Sequence, residues 1–141
     1  MRLLNRAASE VLVAAGVRAA TDVTGFGLLG HALEMARASG VRFTFDARSL
    51  PVLPGALEVA RAGIETGGAA HNRRFIATTF ELGAVAPEAV TIAVDPQTSG
   101  GLLASVPPEL VASVDAGLAE RNVERWWIGR VEAGDAAVAL R

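Results

Sequence analysis

The sequence predicts an α/β domain in which helices and strands intermix, and three observations predict it. Leu28 to Ser39 carries apolar residues at helical spacing and is followed by Gly40. Val41 to Asp46 then alternates strictly between apolar and polar residues, the pattern of a strand with one buried face. Near the end, Arg125 to Val131 and Ala136 to Leu140 read as two antiparallel strands of a hairpin that turns at Ala133-Gly134-Asp135.

Taken in order, Leu4, Ala8, Val11, Leu12 and Ala15 recur at helical spacing, with Gly16 as a stop. Val17 to Thr24 is an extended or irregular approach to a glycine turn. In the Leu28–Ser39 helix the apolar faces are Leu28, Ala32 and Met35, with Leu29, Leu33 and Ala36 beside them. The following strand puts Val41, Phe43 and Phe45 on one face and Arg42, Thr44 and Asp46 on the other. Pro51 and Pro54 bracket a loop, Gly55 to Ala62 forms a short helix, and Gly63 ends it. Ile64 to Arg74, with Gly67-Gly68, His71 and Asn72, reads as a loop that leaves His71 facing solvent. Phe75 to Ala86 fits strand or helix equally, and Thr91 to Val94 fits a short strand or a helix end. Leu102 to Val106 is an apolar strand. Pro107-Pro108 opens a helix to about Glu120, with Leu110, Val111, Val114 and Leu118 inward. Trp126-Trp127 fall in the first hairpin strand, which predicts at least one ring in the core.

Composition narrows the chemistry. The 141 residues suit one domain with an ordinary core, and 51% apolar content argues against disorder. Net charge is −2 and the only adjacent basic pair is Arg73-Arg74, which speaks against a nucleic-acid partner. All 13 basic residues are arginine, and cysteine and tyrosine are absent. A thiol nucleophile, a Schiff-base lysine, a disulfide framework and a cysteine metal site are therefore excluded from this chain. The lack of cysteine is compatible with a cytoplasmic location. The apolar run Val11 to Val17 follows Arg6 and Glu10 at helical spacing and reads as a helix rather than a signal peptide. No run reaches the ~18 apolar residues of a membrane span.

Two stretches carry candidate chemistry. Thr21 to His31 reads TDVTGFGLLGH: Asp22, then Thr24, then the turn Gly25-Phe26-Gly27 opening a helix. Glycines permit close backbone approach, helix N-termini attract anions, and a carboxylate beside them can hold a divalent cation against phosphate oxygens. Asp22 reads equally well as an Asx-turn or cap residue. One carboxylate is half a magnesium site at best, so further ligands must come from elsewhere. Asp95 to Leu103 reads DPQTSGGLL. Every residue type in Asp95–Gly101 favours turns, yet Thr98, Ser99 and Gly100 could also form an anion-binding concavity. His31 reads as a packing or capping partner. Gly25-x-Gly27-x-x-Gly30 with Asp46 also matches a dinucleotide fingerprint in spacing. Its context is poor, because Thr21, Asp22 and Thr24 stand where an apolar strand belongs.

With both stretches in view, the chain resembles the C-terminal half of the selenophosphate synthetase (selenide, water dikinase) family. TDVTGFGLLGH and DPQTSGGLL are that half's two signatures, in the right order. The opening LNRAA, the LPVLPGALE segment and the GGAAHNRRF loop add to the likeness, which covers essentially the whole chain. More remotely the chain resembles C-terminal domains of the aminoimidazole ribonucleotide synthetase superfamily. The resemblance implies a mixed, largely antiparallel sheet flanked by helices, a single C-terminal domain over residues 1–141, and an N-terminal ATP-binding domain outside this chain. It implies conversion of ATP, selenide and water to selenophosphate, phosphate and AMP, by a protein that is a homodimer when full length. Asp22 matches the family's magnesium ligand, and Thr24, Gly25 and Gly27 would lie against the nucleotide phosphates. Thr98, Ser99 and Gly100 would form a wall of the cleft, while catalytic residues would lie outside this chain. The Gly67–Phe75 loop departs from the family's usual form and is assigned no role. The alternative is a stand-alone nucleotide- or protein-binding module without catalysis.

Overall fold

The computed structural model describes residues 4–141. Among the described residues six helices and six strands intermix: α1 Arg6–Ala14, β1 Ala19–Asp22, α2 Gly27–Ser39, β2 Val41–Phe45, α3 Ala56–Arg61, α4 Ala69–Ile76, β3 Phe80–Leu82, α5 Pro87–Val94, β4 Leu102–Ser105, α6 Val111–Glu120, β5 Gly129–Ala133 and β6 Ala137–Leu140. Short 3-10 turns precede α3 and α6.

Strands β1 and β4 form an antiparallel ribbon, Asp22 opposite Leu102 and Ala19 opposite Ser105. The other four form a sheet in the order β3-β6-β2-β5. There β2 runs antiparallel to β5 but parallel to β6, and β6 runs parallel to β3. The sheet is mixed, as expected, with a larger parallel share than the resemblance implies.

Two apolar clusters follow from this layout. The larger packs Leu29, Leu33 and Ala36 of α2 against Phe43 and Phe45 of β2, Val138 and Leu140 of β6, Ile76 of α4 and Val94 of α5. The smaller joins Val11 and Leu12 of α1 to Val114 and Leu118 of α6. The period-2 alternation of β4 serves both: Leu103 enters the larger cluster, and Leu102 and Ala104 face the smaller. The two helices approach closely at Gly117, where a Cβ would stand 2.9 Å from Val11 Cγ1.

Several sequence expectations are corrected. The loop expected over Ile64–Arg74 contains most of α4, which packs Ala69, Asn72 and Ile76 inward; His71 is exposed, as expected. The Thr91–Val94 alternative resolves as the end of α5. The terminal hairpin does not form, because β2 inserts between β5 and β6. Stepping over one strand spans about 10 Å, within reach of a short connection at about 3.5 Å per residue. The turn signal marked a chain reversal, and β6, buried along its whole length, gains neighbours on both sides. The strand starts at Gly129, so Trp126 and Trp127 precede it and stay 52% and 50% exposed. On the polar face of β2, Thr44 is buried beneath Glu132, to which its hydroxyl donates. The dinucleotide reading fails on topology: β1 and β2 lie in different sheets, and Asp46 is spent accepting from Arg48 N–H and Ser49 Oγ.

Candidate functional site

The two motif stretches meet. Beyond the ribbon, Val23 N–H donates to Gly101 O at 2.9 Å and Gly100 N–H donates to Val23 O at 3.0 Å, so the ladder continues past Asp22. Thr24 O then accepts from Gly27 N–H at 3.0 Å and Gln97 N–H at 2.9 Å. The turn that opens α2 and the loop that leads into β4 are thus laced together by backbone bonds.

The glycines divide into two kinds. Gly27 adopts φ +66°, and a Cβ there would meet Val94 C at 2.7 Å. At Gly100 a Cβ would stand 2.5 Å from Val23 O. Both are demanded by internal contact, and both N–H groups are spent on the chain's own carbonyls. Gly25, in contrast, is exposed and a Cβ there would meet nothing. Of the sequence-predicted residues, Gly25, Thr98 and Ser99 present themselves outward, and Gly27 and Gly100 pack tightly into the framework. Asp95 ties its loop to the segment before α4, accepting from Thr66 Oγ1 at 2.8 Å as well as from Gln97 Nε2 at 3.1 Å.

Asp22 ends β1 with its carboxylate exposed. Asn5, just before α1, donates to Asp22 Oδ1 at 2.6 Å and to Gly100 O at 3.1 Å. One amide therefore ties the acid to both motif stretches. The donor set fits a magnesium ion in part: a hard, exposed oxygen on a rigid support. Among the described residues no group of three or more His, Asp or Glu is placed to hold a metal.

Two further positions were not legible as site residues. Asn72 is buried, and its Nδ2 donates to Gly25 O and Val94 O, each at 2.9 Å. Gly68, at the start of α4, approaches Pro96 so closely that a Cβ would stand 2.6 Å from its Cγ. The signal available was the Gly67-Gly68 pair before a helix-compatible run; paired glycines read as a loop in isolation. Thr24 Oγ1 lies 3.0 Å from His31 Nε2, and His31 Nδ1 lies 3.0 Å from Glu34 Oε2. Phe26 stacks on Phe75 at 5.3 Å, with the Arg37 guanidinium over the Phe75 ring. Together Thr24, Gly25, Phe26, His31 and the start of α4 enclose a shallow, open pocket of about 360 Å³.

No helix among the described residues is long and apolar enough to cross a membrane. The chain is 42% identical over 134 residues to a selenide, water dikinase of Nitratidesulfovibrio vulgaris (strain DP4), covering 92% of this chain and 37% of that protein. It is 47% identical over 109 residues to a selenide, water dikinase of Caldanaerobacter subterraneus subsp. tengcongensis, covering 77% of this chain and 32% of that protein. This chain thus spans about a third of the length of the curated relatives it matches. Among solved structures, hydrogenase maturation protein HypE shares the fold, with TM-score 0.56 and 19% identity over 97% of this chain and 38% of that one. Residues 1–140 match the family described as AIR synthase related protein, C-terminal domain, and the chain belongs to that family.

Proposed function

We propose that this chain is the C-terminal domain of a selenide, water dikinase, completing a nucleotide site whose other residues lie outside it. In that reading the whole protein uses ATP, selenide and water to make selenophosphate, phosphate and AMP, as a cytoplasmic homodimer. The observation that carries the reading is the shared edge: the exposed, Asn5-anchored carboxylate of Asp22 stands where the Thr24–Gly25 turn and the Thr98–Gly100 loop are bonded side by side. The likeness to proteins named selenide, water dikinase over most of this chain supports it.

Phosphoryl transfer depends mainly on positioning and charge stabilisation. A domain can therefore matter to it without supplying a nucleophile. Asp22 would be one magnesium ligand, and the bound ion would neutralise phosphate charge. The chain's own contribution is to fix that carboxylate through Asn5 and to face the phosphates with Gly25, which offers backbone without a side chain. Thr98 and Ser99 would wall the cleft.

Replacing Asp22 by Asn in the full-length protein should nearly abolish AMP formation while circular dichroism stays native. Near-normal turnover would remove the metal assignment.

A further inference from the structure

We infer that Asn5 is a positioning residue that sets how Asp22 can hold a cation: it withholds Oδ1 and leaves Oδ2 as the single ligand atom, which favours magnesium over calcium. The inference rests on the magnesium reading above.

An ionised carboxylate and a backbone carbonyl only accept, so the nitrogen of the Asn5 amide, not its oxygen, must face Asp22 and Gly100. Both hydrogens of that nitrogen are in use, one on Asp22 Oδ1 at 2.6 Å and one on Gly100 O at 3.1 Å. The bond to Oδ1 is charge-assisted, the stronger kind. Among the described residues nothing donates to Oδ2, and the Asp22 side chain is exposed. The two oxygens are therefore unlike: one is held, the other open.

Each anchor of the amide is fixed. Asn5 directly precedes α1, and its carbonyl accepts from Ser9 N–H at 2.9 Å. Helix α1 is seated on α6 through Val11 and Leu12. Asp22 is paired with Leu102 across the ribbon. Gly100 donates to Val23 O at 3.0 Å and has no room even for a Cβ. Turning both carboxylate oxygens onto one ion would pull Oδ1 off the amide, and the amide cannot follow without leaving Gly100 O. Magnesium demands near-ideal octahedral geometry, which one oxygen serves. Calcium accepts a looser shell and takes carboxylates by one oxygen or by two. A carboxylate confined to one oxygen thus loses nothing for magnesium and forgoes a ligand for calcium.

The test uses the full-length protein with a non-hydrolysable ATP analogue. Calorimetric titration with magnesium and with calcium gives two affinities for the site that Asp22→Asn removes. Asn5→Ala should raise the ratio of calcium affinity to magnesium affinity about tenfold, the lower end of the range for groups that support a metal ligand. A ratio that stays the same or falls overturns the inference, even where both affinities drop, since a merely structural brace would weaken both ions alike. A crystal structure of the unaltered protein with calcium needs no variant to fold. It should show the ion on Oδ2 alone, with Asn5 still on Oδ1; calcium held by both oxygens, or by Oδ1, overturns the inference. Full magnesium binding in Asp22→Asn, or an ion that leaves Asp22 untouched, overturns the magnesium reading beneath it.

Discussion

The buried amide of Asn72 holds the carbonyl of Gly25 and the carbonyl of Val94 with one nitrogen, at 2.9 Å each. Helix α4, the turn that opens α2 and the end of α5 are therefore pinned at a single atom. Leucine or alanine at position 72 should leave two carbonyls without a donor and cost about 1–3 kcal/mol in urea unfolding. Asp at 72 should cost more than Asn72→Leu, since a carboxylate cannot donate to either carbonyl.

Gly27 and Gly40 share a left-handed backbone, φ +66° and +63°, but not an environment. A Cβ at Gly40 meets nothing, so Gly40→Ala should cost only the conformational strain, about 1–2 kcal/mol. Gly27→Ala adds a clash with the backbone of Val94 and Asp95 and should lower the melting temperature clearly further. Equal shifts in the two variants would show that the α5 end yields easily.

Acid should loosen the fold. The Arg73 guanidinium and then the Thr91 hydroxyl hold the Glu65 carboxyl below its usual range, as the Thr44 hydroxyl and Arg130 do for Glu132. A carboxyl depressed in the folded state contributes stability above its unfolded value and loses it as pH falls through the folded one. The urea midpoint should stay flat from neutrality to about pH 5 and decline below about pH 4. These groups sit at the surface, so the decline should be shallow, and Glu65→Gln should make it shallower.

Trp126 and Trp127 are the chain's two tryptophans, and both rings are half exposed. Acrylamide should quench their fluorescence along a single straight line. A quencher-resistant fraction would mean that one ring is covered in solution.

Local elements were readable where one residue type forces one conformation. Gly40 ends α2 in the left-handed region, and Gly16 and Gly63 follow α1 and α3 in the same way. The β2 alternation placed Phe43 and Phe45 in the core. Turn chemistry failed where context outweighed it. Gly67-Gly68 introduces α4 because Gly68 must pass close to Pro96, a contact invisible along the chain. The site was legible as two motifs and illegible as a framework. Asn5 and Asn72 join segments far apart in sequence, and nothing in an isolated asparagine says which carbonyl or carboxylate it will meet.

The sequence by itself determined the mixture of helices and strands, the helix over Leu28–Ser39, the absence of cysteine and lysine chemistry, and the two motif stretches that carry the family likeness. Tertiary structure alone decided that β2 separates β5 from β6, that Gly27 and Gly100 serve packing while Gly25 faces outward, and that Glu34 reaches Thr24 through His31. The physical reason is range. Propensity, periodicity and glycine freedom act within a few residues, whereas strand partners, close approaches and hydrogen-bond chains are set by which distant segments the core brings together.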